Sequence, residues 1–95
     1  MEISELQRVM GETYLERDRT RGIDGTFRWM VEEVGELARA LRDGSDADRT
    51  HEVGDVLAWL TSVANPAGGD LQAAVARYAQ GCPRCGHRPC DCPMR

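Results

Sequence analysis

Residues 29–65 read WMVEEVGELARALRDGSDADRTHEVGDVLAWLTSVAN, and the fold turns on them. Two acidic patterns stand in this stretch, Glu32-Glu33-x-x-Glu36 and Glu52-x-x-Asp55, each embedded in apolar residues at helical spacing. Phe27, Met30, Val31, Val34, Leu37, Ala38 and Leu41 recur every three or four positions around the first. Val53, Val56, Leu57, Leu60, Val63 and Ala64 do the same around the second. At about 100° per residue, Glu33 and Glu36 border the first apolar stripe, and Glu52 and Asp55 border the second. Carboxylates three apart are neighbours on a helix, and like charges at that spacing repel. Packing the two helices together worsens the repulsion, and a hard divalent cation, Mg²⁺ or Mn²⁺, resolves it. Either pattern alone reads as the solvated face of an amphipathic helix. Two of them, on consecutive helices and both beside the core side, favour a metal site.

Working outward, Asp43-Gly44-Ser45-Asp46 is a short stop-and-start signal, so the two acidic helices are antiparallel neighbours. Asp24 or Thr26 is expected to cap the first of them, and Asn65-Pro66-Ala67-Gly68-Gly69 to end the second. Upstream, residues 2–17 read as a helix with Ile3, Leu6, Val9, Met10 and Tyr14 inward, followed by a charged connector over residues 17–22. Its arginines could reach a phosphate, although a charged loop is more often simply solvated. Downstream, Asp70 caps a fourth helix reaching about Gln80, with Leu71, Ala74, Val75 and Tyr78 inward. The expected fold is therefore all-α: a four-helix unit over residues 1–80 and a separate cysteine tail over 81–95. Gly35 and Gly54, one inside each acidic motif, suggest close approach of the two helices, or alternatively room for metal-bound phosphates.

The tail places Cys82, Cys85, Cys90 and Cys92 in a C-x₂-C-x₄-C-x-C spacing that suits one tetrahedral Zn²⁺. Disulfides and free thiols are the competing accounts. No leader segment precedes the first helix and no apolar run approaches the ~20 residues of a membrane span, so the expectation is a cytoplasmic protein in which disulfides are disfavoured. A closed four-thiolate site leaves no position for chemistry, so the tail's role is structural or one of partner contact. The net charge of −4 argues against nonspecific binding of a nucleic-acid polymer. All twelve basic residues are arginine. Ninety-five residues bury little core, so oligomerisation or a metal is a natural supplement, and Ala38, Leu41, Ala58 and Ala73 could serve a second subunit as easily as their own chain.

The paired motifs resemble those of the MazG-like, all-α nucleoside triphosphate pyrophosphohydrolases. The surrounding words fit too: Thr26-Phe27-Arg28-Trp29 leading in, Val34-Gly35-Glu36-Leu37 in the middle, Asp55-Val56-Leu57 and Ala64-Asn65 after. The similarity covers roughly residues 12–80, and it implies a homodimer, or a tetramer built on a dimer. It implies a four-helix MazG-like bundle that hydrolyses nucleoside triphosphates to monophosphate and pyrophosphate, in a nucleotide-pool house-cleaning role. It assigns Glu33, Glu36, Glu52 and Asp55 as Mg²⁺ (or Mn²⁺) ligands, with Glu32 orienting water or acting as base. It also implies that Asn65 and Arg77-Tyr78 hold phosphates, although many relatives have lysine where Arg77 stands. Trp29, on the stripe of Glu33 and Glu36, is a candidate for stacking on the base, while Trp59 reads as packing. Two other functions compete: phosphoribosyl-ATP pyrophosphohydrolase, and a non-catalytic helical adaptor displaying a zinc knuckle.

Overall fold

The computed structural model describes residues 1–95 and contains four α-helices and no strand: α1 (Ile3–Arg21), α2 (Ile23–Asp43), α3 (Asp46–Ala67) and α4 (Leu71–Val75), the last running into a 3₁₀ turn, Ala76–Tyr78. The expected charged connector is helical. Arginine and aspartate are no helix breakers, and Arg19 and Arg21 in the last turn suit the negative end of the helix dipole. Only Gly22 interrupts the chain, with φ 88°, a conformation that favours glycine. Gly22 also starts α2, so neither Asp24 nor Thr26 is the cap. Thr26 is instead fully buried at the corner, its hydroxyl donating to the Gly22 carbonyl and accepting from Arg21.

The α2–α3 connection forms as expected. Ser45 and Asp48 make a reciprocal capping box, and Arg49 donates to the carbonyls of Ala40 and Gly44, closing the end of α2. α3 continues through Asn65 and Pro66, contrary to the expected stop. A proline in the last turn forfeits only one hydrogen bond, and the effective stop is Gly68, whose left-handed conformation caps the helix. Asp70 caps α4 by accepting from the Ala73 N–H. That helix is shorter than expected, and of its expected inward residues only Leu71 is buried; Ala74, Val75 and Tyr78 are exposed.

α3 is the central helix, packed along α2 on one side and α1 on another, while α1 and α2 touch little. Gln7 ties α1 to everything after it. Its Nε2 donates to Asn65 Oδ1 and the Gly69 carbonyl, its Oε1 accepts from the Leu71 N–H, and its own carbonyl accepts from Asn65 Nδ2. On α1, Ile3, Leu6 and Met10 are half-buried, whereas Val9 and Tyr14 are exposed.

The apolar stripes are only partly used. Met30, Leu37, Val56 and Val63 are half-buried between α2 and α3, but Phe27, Val31, Val34, Leu41, Val53, Leu57 and Leu60 are 37–61% exposed. By helical geometry these rows lie on the same face of the antiparallel pair, opposite the acidic side. Only Ala40, Ala64 and Leu71 are buried hydrophobics, and the radius of gyration of 15.5 Å exceeds the ~12 Å of a compact domain this long. A Cβ on Gly35 or Gly54 would meet nothing within 4 Å, so neither glycine marks a close helix contact within the chain. Ala58 lies against the α1 side of α3, whereas Ala38, Leu41 and Ala73 are exposed. No helix is long and apolar enough to cross a membrane.

Candidate functional site

Glu33 and Glu36 on α2 and Glu52 and Asp55 on α3 are all half-buried, while Glu32 is exposed. Their crowding is visible in Glu33. Desolvation pushes its carboxyl above the ordinary glutamate value, and the charges of Asp55, Glu52, Glu36 and Glu32 push it further in the same direction. Glu52 Oε2 is buried and has no hydrogen-bond partner. Asp55 Oδ2 lies 3.2 Å from His51 Nε2, and Glu36 Oε2 lies 3.6 Å from Arg39 Nη1. Potential ligand atoms of His51, Glu52 and Asp55 fall within 4.8 Å of one another; Glu33 and Glu36 stand outside that tighter group. The arrangement is an oxygen-rich, negatively charged seam between two antiparallel helices. It suits a hard cation.

Two cavities flank the seam. One, of about 260 Å³, lies at the hairpin end and is bordered by Glu36, Asp43, Asp48 and Glu52. The other, of about 290 Å³, lies between α1 and α3, bordered by Tyr14, Asp18 and Arg21 from α1 and by Asp55, Trp59 and Ser62 from α3. Trp59 is thus a half-buried wall of a cavity rather than core. Trp29 stacks on it, ring centroids 6.1 Å apart and planes 19° from parallel, and the Arg21 guanidinium lies 4.9 Å from the Trp59 ring centre.

Three expected phosphate-binding residues sit elsewhere in the chain's own fold. The Asn65 amide is engaged with Gln7 at the α1–α3 contact. Arg77 rests 4.7 Å over the ring of its neighbour Tyr78, and both are exposed and border neither cavity.

A family comparison joins this geometry to known proteins: residues 21–83, about two thirds of the chain, match the MazG nucleotide pyrophosphohydrolase domain. The chain belongs to the MazG family. No curated protein sequence matches it. The family match covers α2, α3 and α4, the elements that carry both acidic motifs, and leaves most of α1 outside. The two acidic motifs supply four of the seam's carboxylates, but the α1 side of the adjoining cavity was not foreseen from them. Asp18 and Arg21, three apart with opposite charge, were the available signal, obscured because the segment read as a loop. His51, four residues before Asp55, was likewise legible only by spacing.

At the other end of the chain, the Cys82, Cys85, Cys90 and Cys92 sulfurs lie within 4.8 Å of one another. Cys82 and Cys92 sulfurs are 3.8 Å apart and those of Cys85 and Cys90 are 4.0 Å apart. Backbone N–H groups of Asp91 and Cys92 donate to the Cys85 and Cys90 sulfurs. Amide donors from Asp91 and His87 lower the Cys85 thiol to about 6, and hydrogen bonding to Cys90 and Cys82 pushes Cys92 up to about 12. Arg88 fastens the tail to the helical part by donating to the Ala79 carbonyl.

Proposed function

We propose that this MazG-family chain is a Mg²⁺- or Mn²⁺-dependent hydrolase that cleaves nucleoside triphosphates between the α and β phosphates, releasing monophosphate and pyrophosphate. One observation carries the reading: the buried Glu52 oxygen without a donor, set among carboxylates where desolvation and then mutual repulsion raise Glu33. A site with that donor set and that unspent acceptor fits a hard divalent cation. When bound, the cation supplies positive charge for the substrate phosphates and lowers the pKa of a water.

The chain's own residues do the remainder. Glu33, Glu36, Glu52 and Asp55 hold the cation. Glu32, exposed beside them, is the group free to take a proton from water. Trp59, backed by Trp29, offers a flat apolar surface for the base. The four cysteines hold a structural Zn²⁺, since a tetrahedron with Zn–S of ~2.3 Å has sulfur–sulfur edges of ~3.8 Å, matching the 3.8 Å and 4.0 Å separations. The exposed apolar rows of α2 and α3 are covered by a second copy of the chain.

The deciding experiment is pyrophosphate release from a panel of nucleoside triphosphates with Mg²⁺, repeated with Glu36→Gln and Asp55→Asn. Hydrolysis that needs metal and is abolished in both variants, with helicity retained, is the expected result. Full activity in both variants eliminates the site. Turnover of phosphoribosyl-ATP alone moves the assignment to that substrate.

A further inference from the structure

Asp18 is 1% exposed and forms part of the wall of the α1–α3 cavity. Its Oδ1 accepts from Arg21 Nη1 at 2.9 Å, whereas its Oδ2 is buried and has no donor at all. Burying a carboxylate oxygen unbonded is unfavourable, so a lone acceptor at a cavity wall marks a place for a ligand's donor. Oδ2 is screened from bulk water, so that donor arrives from the cavity, where the exposed Arg17 side chain is the group able to give way while Arg21 stays bonded to Asp18 and Thr26. The rest of the wall states the ligand's shape. Trp59 presents a flat ring beside the Arg21 guanidinium, Ser62 contributes a hydroxyl, and Asp55 joins the cavity to the carboxylate seam. A volume of about 290 Å³ is at the small end of ligand pockets and suits a base with its sugar, leaving the phosphates outside.

We infer that this cavity receives the nucleobase, and that Asp18 Oδ2 accepts from an exocyclic amine, so that the chain selects triphosphates of amino-bearing bases, cytosine or adenine, over their keto counterparts. The inference rests on the hydrolase reading above and goes beyond it, from the metal seam to the choice of base. On the edge of cytosine or adenine an amine donor stands beside a ring-nitrogen acceptor. Asp18 meets the first, and the Ser62 hydroxyl or the Arg21 guanidinium meets the second. In uracil or hypoxanthine a keto oxygen replaces the amine and faces the carboxylate, leaving both acceptors unpaired and repelling. A site built to bond one donor discriminates strongly against an analogue without it.

The test is calorimetric titration, with Mg²⁺ present, of the non-hydrolysable α,β-imido analogues of dCTP and dUTP. The dCTP analogue is expected to bind at least ~10-fold more tightly, the worth of a hydrogen bond to a charged acceptor. Asp18→Asn, whose amide can turn a donor toward a keto oxygen, is expected to level or invert that ratio. Equal affinities in the natural chain, or a ratio unchanged by Asp18→Asn, overturn the inference. If the variant does not fold, the ATP and ITP analogue pair on the natural chain decides, and equal affinity or a preference for hypoxanthine overturns it. A clear amine preference with no pyrophosphate release from the parent triphosphates refutes the hydrolase reading and leaves the base pocket standing. Turnover without preference does the reverse, and failure of both analogues to bind refutes both.

Discussion

Replacing Leu57 by glutamate tests whether the apolar face of the α2–α3 pair is covered by a second chain. Seven side chains on that face, Phe27, Val31, Val34, Leu41, Val53, Leu57 and Leu60, are 37–61% exposed. Full burial of such a side chain is worth about 1.5–3 kcal/mol, so covering the remaining half contributes about 1 kcal/mol each. Seven per chain, on both chains of a two-fold contact, give on the order of 14 kcal/mol before the cost of association, which is roughly 4–15 kcal/mol. Two-fold symmetry doubles every substitution. Leu57→Glu removes about 2 kcal/mol of burial and desolvates two carboxylates at several kcal/mol each, so the dimer dissociation constant should rise at least ~1,000-fold. In the separate chain the same residue points outward, so circular dichroism should show unchanged helicity. Light scattering at micromolar concentration is the assay: a dimer or larger for the natural chain, a monomer for Leu57→Glu. A fully active natural monomer, or a Leu57→Glu protein still assembled at the same concentration, would refute the reasoning.

Three further outcomes are expected. Gln7→Ala strips the hydrogen bonds joining α1 to Asn65, Gly69 and Leu71, costing about 2 kcal/mol and lowering Tm by roughly 10 °C; if Asn65→Ala leaves Tm unchanged and raises KM instead, Asn65 works on substrate and not at this contact. Glu33 is raised in the folded state, so its contribution to metal-free stability is present at low pH and lost as pH rises through the raised value. Melting in chelator, followed upward from the ordinary glutamate range, should therefore show a downward slope that flattens in Glu33→Gln, and identical slopes would remove the crowded-carboxylate picture. Protein purified after full reduction and without added metal should carry one zinc per chain, lost in Cys85→Ser; a zinc-free protein with a native Cys82–Cys92 disulfide would contradict the tetrahedral reading of the tail.

Much of the fold was legible because its signals are local. Helical period, the Ser45 cap and the Gly44 stop are properties of neighbouring residues, and they placed α2, α3 and their antiparallel turn correctly. The acidic residues were found for the same reason, since i, i+3 spacing fixes which carboxylates share a helix side. The errors fell where a local signal was overruled by its surroundings. Residues 17–21 looked like a loop by charge, but Asp18 is drawn into the α1–α3 contact and bonded to Arg21, so the segment stays helical. Pro66 looked like a stop, but in a last turn it costs little and Gly68 ends the helix.

The sequence by itself determined an all-α chain, two antiparallel helices each bearing a pair of carboxylates, and four cysteines close enough in sequence to share one centre. Periodicity, capping and spacing are enough for that, because each depends on a handful of adjacent residues. Only the tertiary structure decided which side of each apolar stripe is covered within the chain, that Trp59 walls a cavity with Trp29 behind it, and that Asn65 is spent on Gln7. It also decided that Asp18, distant in sequence from both acidic motifs, borders the same cavity as Asp55. Those facts depend on how α1 lies across α3, and that angle is set by long-range contacts that no window of sequence contains.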